Sequence, residues 1–481
     1  MRAEASAGHG AAAGHRAPAD QEAPADQEAP ARHVAPEHAS AGHVTADQAT
    51  GMLRLEEALA RMLDGLEPLP AEEVALDELV GRVAVADVAA RVTLPPWDNS
   101  AMDGFAVRAA DTRGADAATP VELRVTGESA AGHAPRGAVE AGTALRILTG
   151  AMLPEGADAV VPVEATDASA GMAALPERVR IRAEARPGDH IRRTGSDIAA
   201  GSRIVAAGEV IRPATLSLLA ATGHAGAGVR RRPRVVVLGT GDELVPAGQP
   251  LGPAQIHDSN SPALAAQARV AGAEVRRAPS LPDRLDAVLR ALREAIDWAD
   301  VVIISGGVSV GAHDVVRQAF ETVGRVDLWR VAVQPGKPLA FGRALRPVDR
   351  GAGPAPVPAP DVLLFGLPGN PVSSFVTFEL FVRPVLRRLA GHADAEVRRA
   401  LRARLAEAVR TSHGRRAFLR VRLEPDPDRA GGLLAHPVGG AGGQGSHVLS
   451  ALAAADALAI VPEEHDELPA GAEVETWELD R

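Results

Sequence analysis

Val301-Val302-Ile303-Ile304-Ser305-Gly306-Gly307-Val308-Ser309-Val310-Gly311-Ala312-His313-Asp314 is the stretch on which the fold turns. Its first half is β-branched and apolar without alternation, the pattern of a strand covered on both faces in a parallel sheet. Its second half is glycine-rich and runs into residues 315–323, which read as a helix. A strand, a tight loop and a helix start in succession form the ligand-binding corner of open α/β sheets. Glycines admit a guest close to the backbone and a helix start offers unpaired N–H groups, so the expected guest is an anion. Asp314 would repel that anion unless a divalent cation lay between them, which points to an anion with Mg²⁺. The bland alternative stays open: a glycine-rich turn with Asp314 in the first turn of the following helix.

The same unit recurs on either side. Arg234-Val235-Val236-Val237-Leu238 ends in Gly239-Thr240-Gly241-Asp242-Glu243-Leu244, again a buried strand followed by a glycine loop with carboxylates. Asp258-Ser259-Asn260 caps a helix over 263–270, an edge-like strand lies near Val275, and a helix covers 285–298. Downstream, Trp329 to Pro338 and a strand at 362–365 lead to Gly366-Leu367-Pro368-Gly369-Asn370-Pro371-Val372-Ser373-Ser374 and a long helix ending at Leu389. Alternating strands and helices across 233–390 predict a doubly wound, mainly parallel sheet. At least three of its strand ends carry polar glycine loops, which should converge on one rim.

The flanks are different in kind. Residues 1–48 are rich in Ala, Pro, His and acid, with a six-residue repeat and five irregularly spaced histidines. They lack the bulky apolar groups that offset ordering entropy, so they read as a solvated, disordered tail rather than a metal-binding one. Leu55, Leu59, Met62, Leu63 and Leu66 share one helical face, giving a docking helix that Pro68 and Pro70 end. Residues 49–69 with 187–232 are assigned to an elongated helical linker domain, and 70–186 to a β-rich domain. Residues 391–481 are assigned to a final β domain, and 345–360 to a surface loop. The fold class is therefore α/β multidomain: the sheet domain, two β-rich domains and the linker domain.

Composition narrows the function. With 62 acidic and 51 basic residues the net charge is -11, which excludes a broad nucleic-acid surface and confines any anion site to local cations. No apolar run reaches about 18 residues, so no membrane span is expected. Cysteine is absent, which removes disulfides and thiolate chemistry and fits a cytoplasmic protein. Tyrosine is absent too, leaving proton transfer to carboxylates, His or Lys.

Six ordered blocks, Pro96 to Val107, Gly241 to Leu244, Ser305 to Asp314, Pro335 to Pro338, Gly366 to Ser373 and Gln444 to His447, together resemble the molybdopterin molybdenumtransferase (MoeA) family, which includes the E domain of gephyrin. The resemblance covers residues from about 50 to 481. It implies a cytoplasmic, Mg²⁺-assisted enzyme that takes adenylylated molybdopterin and molybdate and delivers molybdenum cofactor and AMP. It further implies a homodimer whose cleft lies between one subunit's sheet domain and the other's remaining domains. Expected partners are the adenylyltransferase that supplies the substrate and the molybdoenzyme apoproteins that receive the product. By the same likeness Asp314 and Glu243 hold the metal, with Asp283 near them. Gly306, Gly307, Ser309, Gly311, Gly336, Pro368, Gly369, Asn370, Ser373 and Ser446 line the pterin site. Thr149 hydrogen-bonds an anion, while Asp98 and Asp197 serve a metal, a water or the pterin amine. Arg330 and Lys337 serve molybdate or phosphate.

Two positions depart from the family, which often has lysine at Arg330 and Gln334: arginine keeps the charge as a fork, and glutamine removes it. Two other functions share this sheet, an adenylyltransferase that makes the activated pterin and a non-catalytic scaffold. The Asp98 to Gly104 block argues against the first, and the retained carboxylates argue against the second.

Overall fold

The computed structural model describes residues 51–169, 171, 174–306, 315–346 and 361–479. The expectations for the tail 1–48, for Gly307, Ser309, Gly311 and Asp314, and for 347–360 lie outside these residues.

Val301–Ser305 is an inner strand of a six-stranded sheet ordered Glu274–Arg277, Arg234–Gly239, Val301–Ser305, Val362–Leu367, Pro338–Ala344, Gly324–Arg330. The first four strands are parallel, with Val237 level with Arg277 and Ile303, and Ile303 level with Phe365. The last two pair antiparallel, so the sheet is mixed at one side. From Arg234–Gly239 the chain crosses outward to Glu274–Arg277 and then returns to the other side for Val301–Ser305. The order thus reverses between Arg234–Gly239 and Val301–Ser305, and a crevice opens at their C-terminal ends.

Both faces of the sheet are covered, which is why its strands show no polar alternation. Val235, Val237, Ile303 and Phe365 lie in one core with Leu264, Val372 and Val376 of the helices Asn260–Val270 and Pro371–Thr377. Val236, Leu238, Val302 and Ile304 lie in the other with Val288, Leu292 and Phe320 of Leu285–Trp298 and Val315–Val323. The long helix expected up to Leu389 is continuous but passes through a π-helical stretch, Phe378–Val382, where the Arg383 N–H donates to the Phe378 carbonyl. Pro384 has no N–H to give to the fourth residue before it, and the wider turn accommodates that gap.

Two domain boundaries differ from the expectation. The docking helix Leu55–Leu63 buries Leu55, Ala58 and Met62 in the sheet domain's own core, together with Leu66 and Leu69, rather than in a linker domain. Periodicity shows that a helix docks but not on which surface. Residues just after 70 do not join the β domain either. Ala71–Ala75 pairs with Gly226–Arg230, and Val88–Ala89 with Arg203–Val205, around a small core of Leu79, Val205, Ile211, Leu219 and Val229. Strand pairing across more than a hundred residues leaves no local trace in composition.

The β lobe itself is a five-stranded sheet ordered Ala159–Pro162, Gly104–Val107, Thr143–Ile147, Val121–Ser129, Arg178–Ile181. The final domain is a sheet of Ala400–Leu405, Arg416–Pro425, Leu433–Pro437, Ala457–Val461 and Glu473–Glu478, joined by Val333–Gln334. That last strand fastens the domain to the sheet domain. Among the described residues no helix is long and apolar enough to cross a membrane.

Candidate active site

Three loop tips meet at the reversal point. The Thr240 N–H donates to the Ser305 carbonyl at 3.0 Å, and the Gly306 N–H to the Leu367 carbonyl at 3.2 Å. Gly306 has φ +105°, and a side chain there would run into the Thr240 carbonyl; one on Gly369 would stand 3.8 Å from the Gly306 Cα. At 306 glycine is therefore required for these loops to touch, whereas at 369 a methyl would make only an ordinary contact. Asn260, at the start of its helix, ties them with its amide, which donates to Ser305 Oγ at 2.8 Å and to the Gly369 carbonyl at 2.7 Å.

The tips rim a cavity of about 850 Å³ lined by Glu243, His257, Gly306, Pro368, Gly369, Asn370 and His447 among others. The final domain closes one side: Asn370 Nδ2 donates to Ser446 Oγ at 3.1 Å, and the Val372 N–H to the Ser446 carbonyl at 3.0 Å. Of the expected residues, Glu243, Gly306, Pro368, Gly369 and Asn370 share this hollow and Ser446 adjoins it. Ser373 lies beneath, buried, its carbonyl accepting from Thr377 Oγ1 at 2.7 Å. Gly336, at φ +115°, packs against the Thr377 methyl where a side chain would clash, so it brings its loop onto the Pro371–Thr377 helix. Lys337 and Arg330 are both exposed, and Arg330 is level with Pro338, which lines the hollow. Gln334 is engaged elsewhere: its side-chain oxygen accepts from the Ser412 N–H at 3.2 Å.

Carboxylates gather at the Thr240 corner. Thr240 Oγ1 donates to Asp283, the Asp283 N–H donates to Asp242 at 3.1 Å, and the Glu243 carboxylate lies against Gly241. Among the described residues no three acidic or histidine side chains converge as a metal cage. The donors nevertheless suit Mg²⁺, which prefers carboxylate oxygen, keeps much of its water and takes one or two carboxylates alongside substrate phosphate. Glu243 and Asp283 are the described residues that would hold it.

A second group sits on the β lobe. Asp98 accepts from the Thr194 N–H at 2.8 Å, from Thr194 Oγ1 at 3.0 Å and from Arg193 at 2.6 Å. The Thr194 N–H first, and then Arg193, hold its carboxyl below the usual range. Arg193 thus pairs with Asp98, while Asp197 is exposed. Thr149 gives both its N–H and its hydroxyl to Asp103 Oδ1, at 2.6 and 2.7 Å, so the donor expected for an anion is taken up internally. The residues lining the sheet-domain hollow all fall between 240 and 449, so none comes from this lobe.

Several contributors had no clear sequence signal. Asp258-Ser259-Asn260 reads as a helix cap, and Asp258 does cap Ser261 at 3.0 Å, but Asn260 carries the loop tie. Arg420 is buried at 1% exposure, donates to the Gly443 and Gly445 carbonyls at 2.9 and 3.1 Å, and has its guanidinium pKa lowered to about 10 by desolvation. It fixes the glycine run that presents Ser446 and His447, and nothing marks it among the other arginines. His257 is likewise found only through the cavity, whereas His447 ends one of the blocks quoted from the sequence.

Fold and hollow together define a multidomain protein whose doubly wound domain carries a switch-point site closed by the C-terminal domain. Family models match in the same order: the MoeA N-terminal region (domain I and II) over 53–223, the probable molybdopterin binding domain over 236–388, and the MoeA C-terminal region (domain IV) over 402–479. Molybdopterin molybdenumtransferase 2 of Mycobacterium tuberculosis is 41% identical over 433 residues, 88% of this chain and 98% of the relative. The molybdopterin molybdenumtransferase of Haemophilus influenzae is 34% identical over 432 residues, again 88% and 98%. The crystal structure of a molybdopterin biosynthesis MoeA protein from Pyrococcus horikosii superposes with a TM-score of 0.68 at 34% identity, covering 89% of this chain and 99% of that one. The chain belongs to the molybdopterin molybdenumtransferase (MoeA) family.

Proposed function

We propose that this protein inserts molybdenum from molybdate into molybdopterin, taking the pterin as its adenylylated form and releasing AMP, in the cytoplasm and as a homodimer. The observation that carries this is the convergence of the Thr240, Gly306 and Gly369 loops with Ser446 around one hollow at the sheet's reversal, in a chain of this family. Glycines at 306 and 369 leave room for a pyrophosphate against the backbone, and Asn260 and Asn370 hold the walls at a fixed spacing. Lys337 and Arg330 offset the anionic charge of molybdate and phosphate, the arginine as a two-pronged donor.

Cleavage of the adenylate bonds a water oxygen to phosphorus, breaks the anhydride P–O bond and releases a proton. Glu243 and Asp283 would hold Mg²⁺, which when bound would supply positive charge against the phosphates. Asp98, held by three donors and with its pKa depressed, stays ionised and keeps acceptor capacity for the pterin amine. Asp197, exposed, is open to a water or the metal. These β-lobe groups reach the hollow from the second subunit, in keeping with the separation of the two groups in one chain.

The test is AMP release from adenylylated molybdopterin, measured with and without molybdate and with tungstate alongside. Molybdate-dependent release supports the proposal; incorporation of adenylate from ATP into molybdopterin would instead identify an adenylyltransferase.

A further inference from the structure

At the far end of the parallel strands from the hollow, just before Arg234 and Glu274, a second cavity of about 390 Å³ lies on the seam between the small lobe and the sheet domain. Arg82, Arg230, Arg232, Arg269, Arg387 and His392 line it. Glu72 pairs with Arg82, and Asp394 with Arg387 at 2.9 Å. Arg230 is bonded to the Leu69 carbonyl at 3.2 Å, and Arg232 and Arg269 are exposed. Fifty of the 51 basic residues in the chain are arginines, and here five of them line one cavity together with a histidine.

The wall also carries unmet polar atoms. Arg387 Nε and His392 Nδ1 are buried without a hydrogen-bond partner, and His392 is 8% exposed. Burial first, and the neighbouring Arg387 next, lower the imidazole to about 4, so it is neutral at physiological pH. Arg387 Nε, a donor in every protonation state, calls for an acceptor beside the cavity, while His392 Nδ1 stands 4.0 Å from Asp394. Across the seam the Arg230 guanidinium donates to the Leu69 carbonyl at 3.2 Å, and its side chain lies against Gly391.

We propose that this cavity is a second anion site, remote from the active hollow, which takes a phosphate-type oxyanion and fastens the small lobe to the sheet domain. Fork-shaped guanidinium donors suit phosphate oxygens, and the ligand would be free pyrophosphate or the phosphates of a nucleotide.

The experiment is calorimetric titration of the full chain with orthophosphate, pyrophosphate and ADP. It is repeated on the Arg232→Ser, Arg269→Ser double variant and on Lys337→Ala. Because Arg232 and Arg269 are exposed, the double variant should fold with an unchanged melting temperature. Binding should weaken roughly tenfold or more in the double variant, as expected for a lost charge-assisted contact, and persist in Lys337→Ala. Equal affinity for pyrophosphate and ADP would show that phosphate alone is read, and tighter ADP binding that the nucleoside is read too; both support the site. Binding untouched by the double variant, abolished by Lys337→Ala alone, or undetectable for all three anions would overturn it.

Discussion

Gln334 illustrates how a single position can be visible in sequence while its role is not. A neutral amide where the family often has lysine raises the question of a weakened anion site, yet its oxygen accepts from the Ser412 backbone. Gln334→Lys would remove that acceptor, so a loss of about 1 kcal/mol is expected, with molybdate affinity unchanged within roughly twofold. Thermal unfolding and a molybdate titration check both halves, and a clear gain in affinity would return the side chain to the anion site. Asp103 gives a second residue-scale test. Its folded pKa is depressed, mainly by the Thr149 N–H and then the hydroxyl, so the stability it contributes is present above about pH 4 and is lost as the pH falls below that. Unfolding midpoints measured from pH 5 down to pH 2 should fall more steeply for the natural protein than for Asp103→Asn. Parallel curves would mean that the clamp on Thr149 adds nothing. Asp103 stands in a block that the sequence does single out, but its pairing with Thr149 joins residues far apart in the chain and is seen only in the fold.

The loops at the ends of the parallel strands were the most legible elements, because a buried apolar run followed by glycines has few other uses in an α/β domain. Their meeting depends on backbone that no side chain can replace. Gly306→Ala would force a left-handed φ on alanine and press its methyl on the Thr240 carbonyl, costing about 1–3 kcal/mol. Molybdate-dependent AMP release should drop at least tenfold while Arg234–Gly239 and Val301–Ser305 keep their pairing; near-normal turnover would show that the loop contact is incidental. The tie made by Asn260 was hidden for a plain reason. Asx residues before a helix are almost always caps, and the neighbouring Asp258 does cap. The lobe boundaries were hidden for another, since Ala71–Ala75 finds its partner at Gly226–Arg230, and strand pairing at that separation is set by the whole fold rather than by local sequence.

On the scale of the molecule, the two groups expected to act together are carried by different lobes: Asp98, Thr149 and Asp197 on the β lobe, and Glu243, Gly306 and Asn370 around the sheet-domain hollow. A twofold dimer that brings one subunit's β lobe to the other's hollow would unite them, and its symmetry makes a quantitative forecast. Asp98→Ala disables the β-lobe half of a site and Asn370→Ala the hollow half, so each homodimer should be nearly inactive. In a mixed dimer both lesions fall in one cleft and the other cleft is intact. Random pairing makes half of the dimers mixed, each with one working site of two, so co-expression should restore about a quarter of natural AMP-release activity. Purification through two different tags should raise that to about a half. If the mixture remains as inactive as its parents although mixed dimers are isolated, each cleft is built within one chain, and the β-lobe carboxylates do not take part in the chemistry proposed for them.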